Sequence, residues 1–164
     1  SVDTGSLTSA SKLLTCVLMF IGGSPGSTAG GIKTTTIFIL VVSLWSGITD
    51  RHKTAVFKRR FEDDAIKKAS TVFTLNMFLA IFALFTILAI TDLSLSDVMF
   101  EVFSAIGTVG MTTGITRDLS SAARIIIMVL MFCGRVGSLS FALTFLQGKK
   151  DPPVYYPEEE ISVG

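Results

Sequence analysis

Ala69 to Thr91 is a run of 23 residues without a single charged side chain. As a helix it extends about 35 Å, and crossing a bilayer takes roughly 20 apolar residues. It is far too long for one ordinary strand. A membrane-spanning helix is the fold that accommodates it, and the rest of the chain must be arranged around that helix. Composition agrees. Of 164 residues, 49% are hydrophobic and 16% charged, where a soluble domain carries about a quarter charged. The sequence therefore predicts an all-α membrane protein.

The distribution of charge sets the expected orientation. Seven of the fourteen Lys and Arg residues lie between Arg51 and Lys68, immediately before the apolar run. The positive-inside rule places this segment, read as a charged loop or short hairpin over Asp50–Lys68, in the cytoplasm. The span then starts inside and ends outside near Asp92. Apolar flanks on both sides argue against nucleic acid as the partner of the basic patch and favour docking of a cytosolic protein. His52, alone among these charges, reads as solvated. Cys16 and Cys133 sit inside apolar runs as small buried hydrophobes and imply no disulfide framework.

Before the basic segment, the apolar runs Leu13–Ile21 and Ile37–Trp45 enclose Gly22–Thr36, GGSPGSTAGGIKTTT. The helical pattern from Leu7 to Ile21, with Thr8 or Ser9 as its cap, is too short to span a bilayer alone. From Leu13 to Gly47 the chain has no acid and one basic residue, Lys33. That is the profile of one membrane passage interrupted by a polar loop. Two other readings compete: a turn between buried elements, and a phosphate-cradling loop. Gly26–Gly31 followed by Ile32-Lys33-Thr34 nearly matches G-x4-G-K-[ST], but Ile32 shifts the lysine out of register. The latter reading also needs Leu13–Ile21 as a strand and Ile87–Asp92 as a strand ending in a magnesium ligand.

A shift of 112 residues lays Leu7–Gly22 over Leu119–Gly134 with eight of sixteen positions identical, and Lys12 falls on Arg124. Such internal similarity marks a repeat. The second copy reads as span, short helix, Gly/Thr loop and span. The short helix over Leu95–Ala105, broken by Asp97 and Glu101, suits a re-entrant segment. By the same offset the counterpart of Thr108–Thr112 would end just before Ser1, so the chain is expected to be part of a longer protein.

A short helix leading into Thr108, Val109, Gly110, Met111 and Thr112, between two spans, is the layout of a cation pore. Backbone carbonyls there replace the water shell of a monovalent ion, glycine permits the required backbone turns, and the negative helix end adds to the attraction. Irregular backbone at membrane depth is tolerated where it lines a wet cavity or is buried in protein. Arg135, in the middle of the last span, is costly in hydrocarbon and should face a polar partner or the pore. The carbonyls of the Gly-rich loop and the hydroxyls of Ser24, Ser27 and Thr28 are available to it. Gly134, Gly137 and Ser138 offer a small face for close helix approach.

These motifs, GGSPGSTAGGIKTTT, FKRRF, FSAIGTVGMTTG and MFCGRVGSLSFALTF, together resemble the KtrB/TrkH/HKT family of potassium transporters, KtrB-type subunits most closely. The resemblance covers nearly the whole chain. It implies a potassium-channel-like fold of helix–pore-loop–helix repeats. Residues 1–48 would be the end of the third repeat, 49–68 a cytoplasmic basic linker and 69–148 the fourth repeat, with a cytoplasmic tail over 149–164. Within the fourth repeat it implies a span over 69–91, a pore helix over 95–106, a filter strand over 108–112 and a second span over 122–147. The tail, with Pro152, Pro153 and Pro157, reads as extended.

In this resemblance Gly22, Gly23, Ser24, Pro25, Gly26, Ser27, Thr28, Gly30, Gly31 and Lys33 form an intramembrane gate below the filter, with Arg135 facing it. The implied activity is potassium uptake through a selective pore in the cell membrane, without covalent chemistry and without an organic cofactor; a dependence on sodium is left open. The implied assembly is a homodimer on a cytosolic nucleotide-binding regulatory ring, with Lys58, Arg59 and Arg60 as contact residues. A non-transporting scaffold subunit and the phosphate-loop protein stand as alternatives.

Overall fold

The computed structural model describes residues 4–49 and 64–137 in full, with the backbone alone at 55–56, 59–60 and 63. Helix α1 (Ser9–Phe20) leads through the Gly-rich loop into α2 (Thr34–Ile48). Two-residue strands β1 (Ala55–Val56) and β2 (Arg59–Arg60) pair antiparallel. They are followed by α3 (Asp63–Ile90), α4 (Leu95–Gly107) and α5 (Ser121–Val136). Single 3-10 turns at Thr4–Ser6 and Ile115–Arg117 precede α1 and α5. The described fold is all-α apart from the short hairpin.

Local chemistry sets most boundaries. Thr8, Ser94 and Ser120 each accept a hydrogen bond at 3.3 Å from the backbone N–H three residues on, capping α1, α4 and α5. Such caps satisfy donors that a helix start leaves free. The charged segment contributes more helix than expected: α3 begins at Asp63, so Asp64, Lys67 and Lys68 form its first turns. The Asp64 and Lys68 spacing, i to i+4 with the acid first, favours helix there. Residues 64–90 of α3 are long and apolar enough to cross a membrane; α1 and α2 are apolar but shorter. Lys58, His52, the tail and the last span beyond Gly137 lie outside the described residues, and only the backbone of Arg59 and Arg60 is described.

α3 is inverted relative to a soluble helix. It buries the small Ala80 and Ala83 together with Ile87, while Phe78, Phe82 and Phe85 are between 62% and 73% exposed. Small residues let helices approach closely in lipid, where large apolar side chains face outward at no cost. Its polar residues are satisfied within the helix: Thr71, Asn76, Thr86 and Thr91 donate to the carbonyl four residues back at 2.7–2.9 Å. Without water, that is how such groups are accommodated.

The short helix α4 is the hub. It packs against α1, α3 and α5, burying Val98, Phe100, Val102, Ala105 and Ile106. One core layer joins Ala80, Ala83 and Ile87 of α3 to Val98, Val102, Ala105 and Ile106 of α4 and to Ala123, Ile127 and Leu130 of α5. A second joins Cys16 and Met19 of α1 to Phe100. Phe20 stands edge-on to Phe73 and Phe103, with ring centroids 6.1 and 5.3 Å away, so α1 ends against both α3 and α4.

Candidate functional site: the end of the short helix and the glycine loop

α1, α4 and α5 run in the same direction and converge at their C-terminal ends. Near the start, Lys12 Nζ lies 2.8 Å from Asp97 Oδ1. Near the end, a Cβ added at Gly107 would lie 2.5 Å from the Met19 carbonyl oxygen, and one at Gly134 would lie 2.2 Å from that of Ile106. Hydrogen bonds from Lys12, and next from Ser94, hold the Asp97 carboxyl below the usual carboxylate range. The pair ties α1 to the first turn of α4, where an acid also suits the helix dipole.

The Gly-rich loop fills the point of convergence. Ile21 and Ile32 form a parallel bridge, with Gly22 N–H donating to the Ile32 carbonyl at 2.7 Å and Ile32 N–H to that of Phe20 at 3.2 Å. The chain thus passes one place twice in the same direction, and residues 22–31 form an excursion between the two passes. Ser24 to Ser27 is a turn closed at 3.1 Å, with Pro25 and a left-handed Gly26 (φ 80°) in the two positions a type II turn asks of them. Gly22 has no room for a side chain, because an added Cβ would meet the Gly30 carbonyl oxygen at 2.1 Å.

Two cations hold three consecutive carbonyls of the loop. Lys33 Nζ donates to Ser27 O at 3.0 Å and to Ala29 O at 2.6 Å, and Arg135 Nη1 donates to Thr28 O. Arg135 therefore meets the loop through backbone, not through the Ser24, Ser27 or Thr28 hydroxyls. The phosphate-loop alternative loses both its strands, since Leu13–Phe20 lies in α1 and Ile87–Ile90 in α3, and the lysine is turned back onto its own loop.

On the other side the loop touches the strand that leaves α4. Gly30 N–H donates to Thr108 Oγ1 at 2.8 Å. Thr108 itself is left-handed, with φ 53°. Its N–H bonds Ala105 O at 3.1 Å and the Val109 N–H bonds Ser104 O at 3.0 Å, which is a Schellman end to α4. Glycine normally occupies that position, and a β-branched residue there costs on the order of 1–2 kcal/mol. The threonine keeps a hydroxyl where glycine would have none, and that hydroxyl receives the loop. Val109 to Thr112 then continue without regular structure, with Gly110 left-handed at φ 79°.

At its far end this segment is held by contacts that reading the residues did not anticipate. Thr112 Oγ1 donates to Glu101, and its carbonyl accepts from Thr4 Oγ1. Thr116 Oγ1 also donates to Glu101, at 2.8 Å. A carboxylate inside a short apolar helix just before a Gly/Thr loop was the available signal. The arrangement as a whole is an irregular backbone segment pinned at both ends, next to a loop whose carbonyls are held by a lysine and an arginine.

Comparison with known proteins gives this site its context. Residues 1–151 match the family model described as TrkH, cation transport protein. The whole chain aligns with the Ktr system potassium uptake proteins B and D of Bacillus subtilis (strain 168), at 35% identity over 164 residues and 39% over 167. It aligns also with the potassium/sodium uptake protein NtpJ of Enterococcus hirae, at 36% over 171 residues. The alignments cover 37%, 36% and 38% of those proteins, so the chain spans a little over a third of their length. The chain is a membrane protein that belongs to the TrkH family of cation transport proteins.

Proposed function

We propose that the chain forms part of a potassium-uptake pore, with Thr108–Thr112 as one filter strand and Gly22–Lys33 as the gate beneath it. The observation that supports this reading is the hydrogen bond between Gly30 and Thr108, which joins the loop to the first residue of the strand. Carbonyls select among monovalent cations without a fixed charge, and no covalent step is involved. The names of the relatives from Bacillus subtilis and Enterococcus hirae support potassium as the ion, and the latter supports sodium as a second. Serine in place of Gly110 disfavours the left-handed backbone there by about 1 kcal/mol or more. Gly110→Ser in the full-length protein is expected to lower the ratio of rubidium uptake to sodium uptake several-fold; an unchanged ratio would overturn the filter assignment.

In the same reading α1 and α2 are the two halves of one membrane passage, broken by the gate. Their twelve and fifteen residues together extend about 40 Å, and the parallel bridge keeps the second half moving in the direction of the first. The internal repeat supports a pore built from such units. α1 and α5 start 112 residues apart, at Ser9 and Ser121, behind equivalent caps at Thr8 and Ser120. The two helices bury different faces. α1 buries Cys16, Met19 and Phe20 while their counterparts Met128, Met131 and Phe132 are exposed; α5 buries Leu130 while Leu18 is exposed. Every such helix would sit between two short helices, its own and that of the next unit, around one axis.

The basic segment before α3 faces the cytoplasm in this proposal, as the density of Lys and Arg suggests. Its Lys58, Arg59 and Arg60 are the candidate contacts for a cytosolic regulatory ring, in line with relatives named as members of a Ktr system. Deleting the three should abolish co-purification of that ring with the full-length protein, and undiminished co-purification would remove the assignment.

A further inference from the structure

Glu101 is 6% exposed, on the side of α4 along which the strand returns. Thr112 lies level with it, six residues and about 9 Å back along the helix from Gly107. Burying a carboxylate is costly unless hydrogen bonds replace its water. Here the replacements come from the last residue of the strand and from the turn after it: the Thr112 and Thr116 hydroxyls reach the same oxygen, Oε1. The two hydroxyls are themselves 2.7 Å apart, and Thr112 Oγ1 accepts the Gly114 N–H at 2.9 Å. The carboxylate is thus the fixed point of a network that includes the last strand residue and the turn after it. At the opposite end the strand is fixed by Thr108 through Ser104, Ala105 and Gly30.

We propose that Glu101 is a positioning residue for ion selectivity, holding the outer end of Thr108–Thr112 at the spacing that fits the transported cation. This rests on the filter reading given above. Glu101 touches no ion. It acts through the Thr112 hydroxyl, so its role depends on an acceptor oxygen at that place rather than on its charge. A strand anchored at both ends keeps its carbonyls at one separation; a strand loose at its outer end can close around a smaller ion or admit water, and discrimination falls.

The test is rubidium and sodium uptake by the full-length protein in cells lacking their own potassium uptake. Losing a hydrogen bond to a charged group is expected to cost about tenfold, so Glu101→Leu should lower the rubidium-to-sodium ratio by about that factor. Glu101→Gln, which keeps an acceptor oxygen, should stay within about twofold of the parent. Thr116→Val deletes one donor on an exposed turn at constant volume and should lower the ratio about threefold, less than Glu101→Leu because Thr112 still reaches the carboxylate. Combined with Glu101→Leu it should add nothing, because both changes break one network.

An unchanged ratio in Glu101→Leu overturns the proposal. Where that variant does not reach the membrane, an unchanged ratio in Thr116→Val overturns it instead. Equal losses in the Gln and Leu variants also overturn it, since the charge itself would then be what matters. Gly110→Ser, measured alongside, separates the two levels of the argument. If it lowers the ratio while the Glu101 and Thr116 variants do not, the positioning role alone falls. If it too changes nothing, the filter reading falls and the proposal falls with it.

Discussion

Arg135→Ala in the full-length protein is expected to raise rubidium flux about tenfold. The guanidinium donates to the Thr28 carbonyl at the centre of the loop. The contact is exposed, so the lower end of the range for a charged hydrogen bond applies, about 1.5 kcal/mol. If that bond is made only when the loop is closed, removing it shifts the closed–open equilibrium by about tenfold. Lys33→Met should act in the same direction by releasing the Ser27 and Ala29 carbonyls. Shortening the loop within Gly22–Gly31 should also raise flux. Flux equal to the parent in all three variants would remove the gating role from the loop.

The largest effect on folding is expected from Gly134→Ala. The new Cβ would lie 2.2 Å from the Ile106 carbonyl oxygen and 2.9 Å from its carbonyl carbon. Both atoms are backbone, so no rotamer change relieves the contact and α5 must move away from α4. Overpacking of this kind costs about 1–3 kcal/mol, and a backbone clash belongs at the upper end. The melting temperature of the purified full-length protein should fall, and its yield with it. Gly47→Ala is the contrasting change. Gly47 lies inside α2 with nothing within 4 Å of its added Cβ, and alanine is favoured there by up to about 1 kcal/mol. Equal melting temperatures for the two variants would show that the close approach at Gly134 does not carry the packing.

The two glycines show why some features were legible and others were not. Close helix approach at Gly134 was legible from the small face that it forms with Gly137 and Ser138. The atom that it approaches, the carbonyl oxygen of Ile106 on another helix, was not. Thr108 is a similar case. Its place in a Gly/Thr loop after a short helix was readable as a strand of carbonyls, but its left-handed backbone and its bond to Gly30 were not. Glu101 was visible only as a charge interrupting an apolar stretch, because its partners Thr112 and Thr116 lie eleven and fifteen residues on. The meeting of Arg135 with the loop was anticipated, since an arginine in the middle of an apolar span needs polar company and the loop offered it. That the partner is the Thr28 carbonyl was not.

Taken alone, the residues determined whatever hydrogen bonds and burial decide over a few positions. The spanning length of α3, the cap at Thr8 and the short helix ahead of Thr108 are of this kind. So is the 112-residue repeat, which is a property of the string itself. The tertiary structure decided which of these pieces face one another. Gly30 and Thr108 are 78 residues apart, Lys12 and Asp97 85, and Thr28 and Arg135 107. No local preference specifies such pairs. They follow from α1 and α5 packing parallel on opposite sides of α4, which brings the glycine loop, the strand and the arginine to the same depth at the end of one short helix.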